Sequence, residues 1–182
     1  MTYSIMEQIK KIKREEIEGK DVIELGSGYS DSGNARPVLE ALNPDTYIGI
    51  DIRKDDFVDL VCDIRDVAYI LGKESFDVVI STEVLEHIKD WRTAVNNMIK
   101  LLKPNGMLFV TARSKGFHYH GVPYDYWRFS YEDFATIFSD MKIELLVNDS
   151  TAPGIIIKAT KPKNFSPIDL SHYEVEAIYA NT

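Results

Sequence analysis

The chain has one cysteine, Cys62, which excludes an internal disulfide. It has no apolar run near the roughly 18 residues that a membrane-crossing helix needs, so no span is expected. Its opening stretch, MTYSIMEQIKKIKREEIEGK, lacks the uninterrupted apolar core of a secretory signal. With a lone cysteine, that points to a cytoplasmic setting. Basic residues are scarce: 21 Lys and Arg face 29 Asp and Glu, for a net charge of −8. A duplex-binding surface needs a basic excess, and no local patch supplies one, so no nucleic-acid partner is expected. There is no internal repeat and no low-complexity segment. What is present suits a globular protein: 182 residues and 45% hydrophobic content are enough for one domain with a proper core.

The pattern along the chain alternates strand and helix. Residues 3–18 carry Ile5, Ile9 and Ile12 at helical spacing, and Gly19 is placed to end that helix. DVIEL (21–25) is a short apolar strand, followed by the turn GSGYSDSG. A helix over 34–42, with Pro37 in its first turn, leads to the strand TYIGID (46–51). FVDLVCD (57–63) reads as a third strand, 65–71 as a short helix and FDVVIST (76–82) as a fourth strand. A helix over 88–102 puts Ile88, Trp91, Val95, Met98, Ile99 and Leu102 on one stripe and stops at KPNG. MLFVTAR (107–113) is the fifth strand. Ser130 followed by Asp133 resembles a capping box and starts a helix over 131–139.

KIELLV (142–147) and GIIIKATK (154–161) are separated only by a short NDSTAP turn. A parallel crossover needs about a dozen residues, so these two strands form an antiparallel hairpin. The expected fold is α/β: a Rossmann-like, doubly wound sheet of seven strands, mostly parallel, with helices on both faces. Three parts follow. Residues 1–19 are an amphipathic N-terminal helix, 20–161 the sheet domain, and 162–182 a weakly helical tail packed on that domain.

In such sheets ligands bind beyond the carboxyl ends of the strands. Gly26 and Gly28 let the chain turn tightly there and let a ligand approach the backbone. The dinucleotide pattern G-x-G-x-x-G needs glycine at position 31, where Asp31 instead adds negative charge. Glu24, Asp51 and Asp63 all fall at strand carboxyl ends and converge on one edge. A carboxylate at the end of the second strand can accept hydrogen bonds from both hydroxyls of a ribose. Each acid taken singly also fits a helix cap or a surface charge.

The ordered set VIELGSG, GIDI, CDIRD, FDVVISTEVLEHI and LLKPNGMLFVT resembles the class I S-adenosylmethionine-dependent methyltransferases, especially their small single-domain members. The resemblance covers about residues 20–160 and accounts for the terminal hairpin. It implies S-adenosyl-L-methionine as cofactor and a small-molecule acceptor. It implies that Glu24, Gly26, Ser27 and Gly28 wrap the methionine part of the cofactor. Asp51 would take the ribose hydroxyls, with Ile52 packing on adenine. Asp63 would accept the adenine amino group, with the Ile64 backbone reading the ring. Thr82 and Glu83 would lie beneath the sulfonium. The sequence departs from the family's third glycine, which is Ser30 here.

Methyl transfer needs acceptor and donor held in line, and a hydroxyl or amine acceptor also has a proton to lose. STEVLEHIKDW offers His87 as a base, beside Glu86, whose place near a helix start also fits a simple dipole contact. GFHYHGVPYDYWRFS (116–130) supplies His118 and His120 as further catalytic candidates, and Tyr124, Asp125 and Arg128 as substrate-binding ones. The spacing of its two histidines and Asp125 fits no strong metal signature, so no metal is expected. A stacking platform for single strands would come with a basic groove, which is absent. The stretch therefore reads as an aromatic pocket wall, anchored by Trp127 and Phe129, with Asp125 and Arg128 as a fixed pair in the plainer reading. Two other functions stay open: an NAD-dependent oxidoreductase, and a non-catalytic S-adenosylmethionine-binding subunit.

Overall fold

The computed structural model describes residues 1–28, 33–121 and 124–178. Ser30 and Asp31 lie outside the described residues. The strands are β1 (Asp21–Leu25), β2 (Thr46–Asp51), β3 (Leu60–Val61), β4 (Phe76–Thr82), β5 (Leu102–Arg113), β6 (Trp127–Arg128), β7 (Lys142–Asn148), β8 (Gly154–Thr160) and β9 (Glu176–Ala177). The helices are α1 (Tyr3–Lys10), α2 (Arg14–Ile17), α3 (Arg36–Glu40), α4 (Val67–Ile70), α5 (Trp91–Leu101) and α6 (Tyr131–Ile137).

Seven strands form one sheet in the order β3-β2-β1-β4-β5-β8-β7. The first five run parallel, and β8 runs antiparallel between β5 and β7. Apolar runs without alternation build the centre, because both faces are covered. Successive residues still part company. Val78 and Ile80 face one core with Ile5, Ile9 and Leu39, from α1 and α3. Val79, with Leu108 and Val110 of β5, faces the other, with Trp91, Val95 and Met98 of α5 and Phe134 of α6. Helices on both faces, a mostly parallel sheet and an antiparallel hairpin are the architecture expected.

Several elements differ from their sequence reading. β5 begins at Leu102 and takes in the KPNG stretch expected to be a turn. The helix expected over 3–18 is two helices. The Lys13 backbone N–H donates to Glu16 Oε2 at 2.9 Å, so a capping box restarts the helix at Arg14. The third strand is short because Asp59 uses its carboxylate to pair with Arg36 at 2.7 Å and to accept from the Gly49 N–H at 2.7 Å. The tail is not helical where it is described. β9 pairs antiparallel with β6, and the Ile178 N–H donates to the Tyr126 carbonyl at 2.7 Å. Among the described residues no helix is long and apolar enough to cross a membrane.

Candidate functional site

The parallel strands end on one edge, where a cavity of about 670 Å³ opens. Glu24, Asp51 and Asp63 all line it, so the three carboxylates do converge. Gly26, Gly28, Ile52, Ile64, Thr82 and Glu83 line it too. The turn after β1 is shaped by two close approaches. Gly26 has φ +81°, and a Cβ there would lie 2.2 Å from Val84 Cγ2. A Cβ on Gly28 would lie 2.9 Å from Asp51 Oδ2, which instead accepts from the Gly28 N–H at 3.3 Å. The other Asp51 oxygen accepts from the Arg53 N–H at 3.1 Å. Ser27 does not line the cavity. It is fully buried, and its hydroxyl donates to the Phe57 carbonyl at 3.0 Å, tying the turn to the segment before β3.

The acids are not equivalent. Glu24 is 2% exposed, and burial lifts its carboxyl to about 7 against the bond from the Tyr47 hydroxyl at 2.8 Å. Asp63 is held below the usual carboxylate range, first by its bonds from the Arg65 guanidinium, the shortest 2.6 Å. Glu83 sits in the left-handed region at φ +58°, with its N–H donating to the Thr111 carbonyl at 3.0 Å. Its carboxylate pairs with the Arg113 guanidinium and with the Met1 amine, the latter at 3.0 Å. A non-glycine residue in that conformation at a cavity edge is backbone strain held by its neighbours.

On the other side of the cavity stand His87, His120, Tyr124 and Tyr126. The segment after β5 is fastened there by backbone bonds, from Tyr126 N–H to the Glu86 carbonyl at 2.7 Å and from Phe129 N–H to the Arg113 carbonyl at 2.9 Å. Trp127 Nε1 donates to the Ile88 carbonyl at 2.9 Å, and Phe129 is fully buried edge-on against Trp91 and Phe134. The rings of His87 and His120 meet at 4.7 Å between centroids. His87 Nδ1 bonds the Tyr124 carbonyl at 2.6 Å, and His120 Nδ1 bonds Asp125 Oδ2 at 2.8 Å. Both partners only accept, so each Nδ1 carries a proton, and in the neutral ring each Nε2 keeps a lone pair. Burial holds His120 below the usual imidazole range, although Asp125 opposes this.

His118, Asp125 and Arg128 stand outside the cavity. His118 is exposed and stacks on Phe117, with ring centroids 4.5 Å apart. Asp125 and Arg128 form a buried pair at 2.6 and 2.7 Å, and Arg128 also donates to the His118 carbonyl at 2.9 Å. That pair braces the wall from behind.

Three features escaped the sequence reading. Glu86 is not a surface residue at a helix start. It lies fully buried in a 3-10 turn, Leu85–His87, and burial lifts its carboxyl to about 8. Arg113, buried at the end of β5, was legible by the same strand-end rule that picked out Asp51. Tyr47 lies two residues before Gly49, the residue in register with Glu24, so it points to the same face of the sheet.

Residues 1–148 match the model of a family described as a methyltransferase domain. The chain belongs to that family, and the sheet order and the strand-end cavity agree with it. A stretch of 42 residues is 43% identical to the mitochondrial ubiquinone biosynthesis O-methyltransferase of Bos taurus, covering 23% of this chain and 11% of that protein. The fold is similar to the 1,6-didemethyltoxoflavin-N1-methyltransferase of Burkholderia thailandensis, solved with bound 1,6-didemethyltoxoflavin and S-adenosylhomocysteine. There the TM-score is 0.69 at 12% identity, over 87% of this chain and 78% of that one. An S-adenosylmethionine-dependent methyltransferase from Mesorhizobium loti is similar at TM-score 0.65 and 13% identity, over 87% and 98% of the two chains.

Proposed function

We propose that the chain binds S-adenosyl-L-methionine and transfers its methyl group to a small-molecule acceptor. The observation that carries this reading is the close approach of Gly28 to Asp51 at the end of β2, where a Cβ would lie 2.9 Å from the carboxylate oxygen and push it aside. That leaves a carboxylate and a bare backbone facing one cavity, as a ribose-bearing ligand requires.

When bound, the cofactor supplies a methyl group on a positively charged sulfur, already activated toward a nucleophile. Asp51 would hold its ribose, Ile52, Asp63 and Ile64 its adenine, and Glu24, Gly26, Gly28, Thr82 and Glu83 its amino-acid end. Ser27 shapes the turn without reaching the cavity. His87 and His120 face the remaining space with free Nε2 lone pairs, placed to take a proton from an acceptor at that end. Tyr124 and Tyr126 line the acceptor side, and Asp125, Arg128 and His118 set its shape from behind. A cytoplasmic setting belongs to the same reading and rests on the single unpaired cysteine.

Calorimetric titration with S-adenosylmethionine, S-adenosylhomocysteine and NAD tests this. Binding of the first two is expected, with a loss of at least about tenfold in affinity for Asp51→Ala, one charged hydrogen-bonding group being worth about 1.5–3 kcal/mol. Binding of NAD alone would overturn the reading.

A further inference from the structure

Behind the two cavity-facing histidines lies a buried carboxylate. Glu86 is fully buried, and among the described residues neither of its carboxylate oxygens has a hydrogen-bond partner. A buried acid in that state must either keep its proton or meet a cation. Were it protonated, its natural acceptor would be the free lone pair of His120 Nε2, but the gap between Glu86 Oε1 and that nitrogen is 3.8 Å, too wide for a hydrogen bond. It is within the roughly 4 Å that two ligand atoms can span when each lies about 2.0–2.2 Å from one ion.

The third group completes a set. One donor atom each from Glu86, His87 and His120 lies within 4.8 Å of the others, so a small side-chain rotation brings all three within the about 4 Å that one ion spans. The surroundings match what metal-bound histidines need. His120 Nδ1 is held by the Asp125 carboxylate and His87 Nδ1 by the Tyr124 carbonyl, which fixes both tautomers with Nε2 free. Asp125 is itself held by Arg128, so the orienting group is oriented in turn.

We propose that Glu86, His87 and His120 form a binding site for a divalent transition-metal cation such as Zn2+. Two imidazoles and one carboxylate suit that class over Mg2+ or Ca2+, which prefer all-oxygen shells. The two histidines line the cavity, so the open coordination positions face the acceptor space. A metal there would bind an oxygen-bearing ligand and make its bound hydroxyl or water more acidic. The site stands without the methyl-transfer reading; with an ion bound, both Nε2 lone pairs are used as ligands, and the metal-bound oxygen takes over from the histidines in acceptor deprotonation.

The test uses Zn2+ and Co2+ added to metal-stripped protein, with no cofactor present. One ion per chain is expected by calorimetry, with a Co2+ visible spectrum of low-coordinate nitrogen and oxygen ligation and a higher melting temperature. Glu86→Gln keeps the shape of the side chain and should abolish both the spectrum and the thermal shift. Asp125→Asn should weaken binding by about 10–100-fold by loosening the His120 ring. Circular dichroism of each variant without metal separates a lost site from a lost fold; if Glu86→Gln does not fold, His120→Ala takes its place. No binding of either ion by the wild type overturns the proposal. So does binding that survives both Glu86→Gln and His120→Ala unchanged.

Discussion

Glu24 offers the sharpest test of the site's electrostatics. Its carboxyl ionises near 4.5 in an unfolded chain and at about 7 in the folded one, because burial disfavours the charge more than Tyr47 and Arg36 restore it. Between those values the folded state holds one proton more than the unfolded state, so stability falls as pH rises through the window. At about 1.4 kcal/mol per pH unit, the interval comes to about 3 kcal/mol, present in full at the acidic end and gone above about pH 7. Glu24→Gln removes the titration yet leaves an oxygen to accept from Tyr47. Urea unfolding followed by tryptophan fluorescence, stepped from about pH 5 to about pH 8, measures both proteins. Glu86, lifted to about 8, adds a slope of the same sign to each. The informative quantity is therefore the wild type minus the variant, which should fall by about 2–3 kcal/mol across the range. A flat difference, or one that rises with pH, would refute a Glu24 that is neutral at acid pH.

Gly26→Ala should lower stability by more than about 1–2 kcal/mol, since the residue's φ is positive and the new methyl overlaps Val84; an unchanged melting temperature would mean the turn is not built as described. Arg128→Met should cost about 3–5 kcal/mol by leaving Asp125 charged and buried. The same change should speed proteolysis within residues 114–126, because the Phe117 and His118 carbonyls lose their donor. Cleavage at the wild-type rate would count against the bracing role.

The sheet was legible in the sequence because burial on both faces leaves an unmistakable mark: short Val- and Ile-rich runs separated by helical stripes. The strand-end rule then located Glu24, Asp51 and Asp63 without any knowledge of the loops. The other half of the site was less legible for a physical reason. His87 and His120 meet only because the segment after β5 folds back and bonds to the Leu85–His87 turn. Nothing in their spacing encodes that return. Glu86 was read as fitting a dipole contact near a helix start; its burial comes from a segment packed over it much later in the chain. The pair of Asp125 and Arg128 was foreseen as an alternative, yet its purpose, holding His120, needed the fold. β9 carried no signal at all, since two residues are too few to show a period.

That last contact bears on how the protein is made. β6, next to the histidine side of the cavity, finds its strand partner among the described residues in β9, almost fifty positions downstream. A ribosome must therefore translate past Ala177 before the pairing can close, long after the cofactor edge of the sheet has left the exit tunnel. The growing chain thus passes through a stage with one half of its pocket built and the other still awaiting its clasp.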